Sequence, residues 1–247
     1  LELTNLETID GQTFIGYLAP LRLRYRPHDK VTLEAGALLG HNFGDENRLD
    51  EIEPVFRLVY EPEENLYIIA GTIMRTHPLH DAIFDDVRAF RRNVEQGFQF
   101  RSDLKWFKED LWINWKVRED EMTSEQFEIG SATQLRFDNL WLDGQFLWVH
   151  TGGQKNLAGV VSHNINFVAG ASYGFQPDFK SALLSPVKDI RIGGHYIYTS
   201  DTPDESSAEP KTTGSGFEGR VAADIKPSRD MTLHLFGSYY KGSKLLA

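Results

Sequence analysis

Residues 127–149 read FEIGSATQLRFDNLWLDGQFLWV, two runs of alternation meeting across Asp138-Asn139. In the first run Phe127, Ile129, Ser131, Thr133, Leu135 and Phe137 fall on one face, and Glu128, Gly130, Ala132, Gln134 and Arg136 on the other. In the second run Leu140, Leu142, Gly144, Phe146 and Trp148 oppose Trp141, Asp143, Gln145, Leu147 and Val149. A period of two belongs to a β-strand, and the Asp-Asn pair between two such runs closes a tight hairpin.

The same period holds outward from this hairpin in both directions. Val94, Gln96, Phe98, Phe100, Ser102, Leu104 and Trp106 oppose Glu95, Gly97, Gln99, Arg101, Asp103 and Lys105. Ile165, Phe167, Ala169, Ala171, Tyr173 and Phe175 oppose Asn164, Asn166, Val168, Gly170, Ser172 and Gly174. The pattern predicts about twelve strands, at 13–25, 30–40, 52–61, 65–74, 93–107, 110–118, 124–137, 139–150, 163–176, 189–200, 217–226 and 230–241. Many exceed the roughly five or six residues usual in soluble sheets.

The connections alternate in length. Arg26-Pro27-His28-Asp29-Lys30, Glu61-Pro62-Glu63-Glu64-Asn65 and Lys226-Pro227-Ser228-Arg229-Asp230 are variants of one tight turn, with proline fixing φ early and Asp or Asn closing it. Such short turns follow the odd-numbered strands, and longer segments (41–51, 75–92, 119–123, 151–162, 201–216) follow the even ones. An up-and-down meander with short turns at one rim and long loops at the other has this rhythm. The connection 177–188 breaks it, being long where a short turn is due.

Composition narrows the classes. The 247 residues carry 26 basic and 36 acidic side chains, a net charge of −10, and no cysteine, which removes thiol catalysis, disulfides and cysteine-based metal sites. Phosphate backbones demand concentrated Lys and Arg, so nucleic acid is not an expected partner. No stretch approaches the roughly 18 to 20 apolar residues of a spanning helix. A mean hydropathy of −0.39 says nothing against a barrel, whose strands need only about 9 to 11 residues each and are half polar.

Long alternating strands, alternating turns and loops, and aromatics near strand ends (Tyr25, Tyr60, Trp106, Trp115, Phe137, Trp148, Tyr173, Tyr239) resemble bacterial outer-membrane β-barrel proteins of the porin-like class. The resemblance covers residues 13–241 and is architectural. It implies an all-β, antiparallel up-and-down transmembrane barrel of about twelve strands, integral to a Gram-negative outer membrane. Residues 1–12 would then be an N-terminal extension and 242–247 a tail.

If the apolar rows face lipid, the lumen receives Arg22, Arg24, Glu34, Arg57, Glu95, Arg101, Asp103, Lys105, Lys116, Glu128, Arg136, Asp143, Arg191, Glu218, Arg220 and Asp224, with His195 and His234. Interleaved charges of both signs suit a wall that tunes the passage of solutes. The expected function is therefore a channel for small hydrophilic solutes or ions, with no enzymatic activity, no cofactor and no metal. The alternative is a non-conducting barrel that anchors a larger surface assembly, with protein partners or a second copy of itself. A lipid hydrolase is a minor third reading, since outer-membrane lipases use a Ser and a His, and His150, Ser162, His163, Ser172 and His195 are present without a spacing that forces contact.

Four local patterns complete the reading. Leu79, Ile83, Val87 and Phe90 recur at helical spacing and predict a short amphipathic helix within 76–93, packed at the rim or folded into the mouth. Asp45, Glu46, Asp50 and Glu51 form an acidic loop without the ladder of an EF-hand. Gly170-Ala171-Ser172-Tyr173-Gly174 matches a nucleophile elbow, but that motif requires a strand-to-helix turn and Ser172 sits inside an alternating strand. Gly214-Ser215-Gly216-Phe217-Glu218-Gly219 has dinucleotide-loop spacing but precedes a strand rather than a helix.

Overall fold

The computed structural model describes residues 2–3, 13–14, 16–43, 51–84, 94–152, 161–178, 186–204 and 210–243. Two short strands, β1 (Glu2–Leu3) and β2 (Thr13–Phe14), pair antiparallel. Twelve long strands follow in antiparallel up-and-down order: β3 (Gly16–His28), β4 (Val31–Asn42), β5 (Glu51–Tyr60), β6 (Leu66–Met74), β7 (Val94–Asp103), β8 (Phe107–Val117), β9 (Glu125–Phe137), β10 (Leu140–Gly152), β11 (Val161–Phe175), β12 (Val187–Thr202), β13 (Thr212–Ser228) and β14 (Met231–Ser243). The chain forms two compact units, one of Leu1–Thr76 with Asp86–Phe100 and one of His77–Asp85 with Arg101–Ala247.

The tight turns fall where the sequence puts them. Asn65 and Asp138 adopt positive φ (64° and 50°), a conformation that Asn and Asp tolerate better than other side chains with a Cβ. The hairpin around Asp138-Asn139 pairs Leu140 with Phe137 and runs in register to Gly152 opposite Glu125. Beyond the other rim, the carboxylate of Asp120 accepts the N–H groups of Met122 and Thr123 at 2.8 and 2.7 Å. Those donors, Met122 first, hold its carboxyl below the usual range.

Alternation alone leaves open which face points inward, and burial decides it. In the second unit Leu142, Phe167, Tyr173, Ile192, Phe217 and Val221 are exposed, whereas Asp110, Asn114, Glu128, Asn166, Thr199 and Glu218 on the opposite face are buried. In the first unit Leu21, Leu23, Phe56 and Phe98 are exposed while Glu34, Thr72, Glu95 and Gln99 are buried. A water-soluble sheet inverts this arrangement; a surface this apolar is stable only against hydrocarbon. The protein is therefore expected to stay monodisperse in detergent micelles and to aggregate when detergent is removed, as read by size-exclusion chromatography.

Two expectations are corrected. Residues 76–84 contain a turn at Asp81–Ile83 but no helix, with Leu79, Ile83 and Phe84 buried; the remainder of the expected helix lies outside the described residues. β7 ends at Asp103, and near its end the alternation shifts: Ser102 is buried, while Arg101, Asp103 and Lys105, placed on the inward row by the sequence pattern, are exposed. Asp103 pairs instead with Lys108 at 2.9 Å across the turn. Of the acidic loop, Asp45, Glu46 and Asp50 lie outside the described residues, and Glu51 opens β5. Ser172 lies within β11 and Gly214 to Gly219 within β13, so neither motif has its required context.

Candidate functional site

The inward charges are mostly neutralised in place. In the first unit Glu34 takes Arg22 at 3.2 Å, Arg24 at 2.7 Å and Arg57 at 3.8 Å, and buried Glu95 takes Arg75 at 2.9 Å. In the second unit Lys116 pairs with buried Glu128, and Asp224 with His234 at 2.6 Å. These pairs compensate charge inside the sheet and leave few carboxylates to steer a passing solute.

One cluster in the second unit is built differently. The strand register sets Gln134, Asp143, Gly170, His195 and Glu218 side by side from β9 to β13. Gly170 leaves the surface bare at the centre: a Cβ there would lie 2.1 Å from the His195 ring, so the imidazole rests over β11. His195 Nδ1 lies 2.9 Å from Glu218 Oε2, and its Nε2 lies 4.0 Å from Asp143 Oδ2. Arg220 donates to the other oxygen of Glu218, from Nε at 3.3 Å and from a terminal nitrogen at 3.0 Å. Asp143 accepts from Gln134 at 2.9 Å.

The segment after β6 completes the cluster. The backbone N–H of His80 donates to Gln145 Oε1 at 2.7 Å, and its Nε2 meets Glu218 Oε2 at 2.9 Å. The segment is anchored by His77, which stacks on Trp112 with ring centroids 3.5 Å apart and bonds to Asp110 at 2.9 Å. His80, Gln134, Asp143, Gln145, His195 and Arg220, together with Ser172, Arg191, Gly193 and Ala222, line a cavity of about 270 Å³.

His80, His195 and Glu218 bring their ligand atoms within 4.8 Å, a donor set that metal ions use. The tautomer argues for proton transfer instead. The N–H of Ala82 points at His80 Nδ1 at 3.1 Å, so that nitrogen is an acceptor and the proton sits on Nε2, facing Glu218. A ligating imidazole needs the reverse, a bare Nε2 and an Nδ1–H donated outward. Glu218 thus collects donors from two imidazoles and one guanidinium. Its bond to His195 Nδ1–H leaves the lone pair of Nε2 on the cavity side, the disposition of a general base.

Of the inward residues expected from sequence, Asp143, Arg191, Arg220 and His195 line this cavity and Glu218 is bonded to His195 behind it; the others are not part of the lining. His80 and Gln145 are not among the sequence candidates, whereas Ser172 and His195 both belong to the lipid-hydrolase reading and line one cavity. His80 carries no sequence signal, because its partner Glu218 is 138 residues away. Ser162 pairs with Thr151, and His150 meets His163 at 3.2 Å; none of the three lines the cavity.

A strand meander with an apolar outside and an ionised interior defines an outer-membrane β-barrel protein, here with a His–Glu pair set on an inward cavity. The chain belongs to the lipid A 3'-O-deacylase-type family, whose model matches residues 4–247. Family and architecture place it in the bacterial outer membrane. Among solved structures it is similar to OmpT, an outer-membrane protein of Vibrio cholerae, at 9% identity and TM-score 0.45, covering 97% of this chain and 85% of that one. It is also similar to OpdL of Pseudomonas aeruginosa, at 11% identity and TM-score 0.31, covering 95% and 89%. No curated protein matches the sequence. The family overturns the expectation that the protein is not an enzyme: a deacylase family is a family of hydrolases, and alternation cannot reveal a site assembled across five strands and a loop.

Proposed function

We propose that the protein hydrolyses an acyl ester of lipid A in the outer membrane. The observation that carries this reading is the His195–Glu218 bond of 2.9 Å at the wall of the 270 Å³ cavity, within a chain of the deacylase family. His195 Nε2 removes a proton from water, and the hydroxide attacks the ester carbonyl carbon. Arg220, on the cavity wall, offsets the charge of the tetrahedral oxyanion. The C–O bond to the sugar then breaks, the imidazolium returns its proton to the leaving alkoxide, and a fatty acid and an alcohol result. Glu218 holds the imidazole orientation and stabilises its cation. The mixed-charge interior serves in this reading as the scaffold that positions the pair and not as a channel wall.

The test is release of free fatty acid from lipid A in mixed micelles with the purified protein. Its absence over a range of detergents and pH overturns the proposal. Water rather than serine is the assigned nucleophile, because the Ser172 hydroxyl makes no hydrogen bond to His195 although it lines the same cavity. Ser172→Ala is therefore expected to keep kcat within about tenfold of the parent, whereas a serine nucleophile would cost about 10³-fold or more.

A further inference from the structure

Near the short-turn rim of the second unit, two exposed arginines approach one buried tryptophan, and one of them, Arg191, also lines the cavity. The guanidinium of Arg191 sits 4.1 Å from the Trp141 ring centroid, and that of Arg136 sits 5.0 Å from it. The strands build this arrangement. Trp141 on β10 is paired with Arg136 on β9, and Gly174 on β11 with Arg191 on β12. Gly174 is the residue that lets the indole across: a Cβ there would stand 2.9 Å from the Trp141 ring. The ring therefore spans the bare position and reaches Arg191. Trp141 itself is only 8% exposed, so the platform is fixed.

The charge on this platform is uncompensated. Buried Glu34, Glu95, Glu128 and Glu218 each have an Arg or Lys beside them, yet among the described residues neither Arg136 nor Arg191 has a carboxylate within ion-pair distance. Arg136 spends only its Nε, on the Asp138 carbonyl at 3.3 Å. Arg191 lines the cavity together with Arg220. Planar guanidinium forks held in place by an aromatic face are suited to bind the oxygens of a tetrahedral anion in pairs. The cation–π contact with a fixed ring restricts where the guanidinium groups sit, which lowers the entropic cost of binding.

We infer that Arg136 and Arg191, aligned on Trp141, form an anion subsite for a phosphate group, next to the cavity that holds His195. The inference deepens the hydrolase reading, since it names the second group by which a substrate is held: a phosphomonoester on the same molecule as the ester. The free anion and the phosphorylated lipid share this chemistry, so both are measured.

The experiment is calorimetric titration of the detergent-solubilised full chain with inorganic phosphate and, separately, with phosphorylated lipid A and enzymatically dephosphorylated lipid A in mixed micelles. Saturable binding of phosphate is expected, weakened at least about tenfold in the double variant Arg136→Gln/Arg191→Gln and unchanged in Arg101→Gln, which removes the same type of charge elsewhere. A lipid headgroup is the natural occupant if phosphorylated lipid A binds more tightly than both inorganic phosphate and its dephosphorylated form. Free phosphate is the occupant if the two lipids bind alike. His195→Ala keeps the phosphate affinity whether or not hydrolysis is observed, so failure of the hydrolase reading and failure of the subsite are separate results. Equal phosphate affinity in parent and double variant, or no binding of either phosphorylated probe by the parent, overturns the subsite. A variant Arg136→Lys/Arg191→Lys that keeps charge but loses the forks is expected to bind more weakly than the parent; full retention would reduce the site to net charge and overturn the assigned geometry.

Discussion

His195→Ala is expected to reduce turnover of lipid A by about 10³-fold with little change in KM, the loss usual when a general base is removed. The imidazole contributes its effect in the transition state, where Nε2 receives the proton, so the cost belongs in kcat. Glu218→Gln tests the same machinery from behind. The amide keeps the shape of the carboxylate but replaces one acceptor oxygen with an NH₂ donor. If that NH₂ faces the two imidazoles that now point their N–H groups at Oε2, donors meet donors and the His195 tautomer is no longer enforced; if it faces Arg220, the same conflict arises there. A fall of about 10²-fold or more is expected for Glu218→Gln. Both variants should still shift mobility on heating in gel electrophoresis, as folded barrels do, because the strand ladder is untouched. A His195→Ala protein with parental turnover removes His195 from the reaction.

Much of the fold was legible because the two solvents of a membrane strand impose opposite demands on successive residues. The hairpin at 125–152 was readable nearly to the residue: alternation marks both arms, and Asp138-Asn139 falls where the two runs meet. On the polar rows of β9, β11 and β13, Glu128, Asn166 and Glu218 are buried, whereas Arg136 and Arg220 are exposed. The pattern failed where a strand is irregular, as in β7, where an alternation shift near the end exposes Arg101 and Asp103. It failed again in the segment 77–84, whose helical spacing of apolar residues reflects burial of Leu79 and Ile83 against the sheet and not a helix.

The site was legible only in part. His195 and Glu218 stand on correctly assigned rows, but they become neighbours only through the register of β12 against β13. The connection between those strands is long, and a long loop does not fix register as a two-residue turn does. Asp143 and Gly170 depend in the same way on the 153–160 connection. His80 is further removed, since no local rule says which strands a long segment will meet. The position that could have hinted at the site is Gly170, a glycine in the middle of a strand, where a missing side chain often marks the close approach of another group.

Gly130→Val is expected to have the largest effect on stability, because it removes space that the second unit has already filled. Gly130 is the cross-strand partner of Trp112, and a Cβ at 130 would lie 2.1, 2.3 and 2.6 Å from three carbons of the indole. Ordinary carbon contacts begin about 1 Å farther out. The indole cannot retreat: Trp112 is 1% exposed and His77 lies flat against it at 3.5 Å, itself held by Asp110. Any shift of Trp112 therefore displaces His77 and, three residues on, His80, which reaches Glu218. Overpacking of this kind costs about 1–3 kcal/mol, and a β-branched side chain against a ring with no free side belongs at the upper end. The expected result is a marked drop in the midpoint of thermal or urea unfolding in detergent, with turnover falling in the fraction that folds. Trimming the ring should reverse it. In the background of Gly130→Ala, the change Trp112→Leu is expected to recover part of the lost stability, whereas the two changes would be additive if the residues did not touch. Additive losses would show that the space around Gly130 is not what limits the packing of the 77–84 segment.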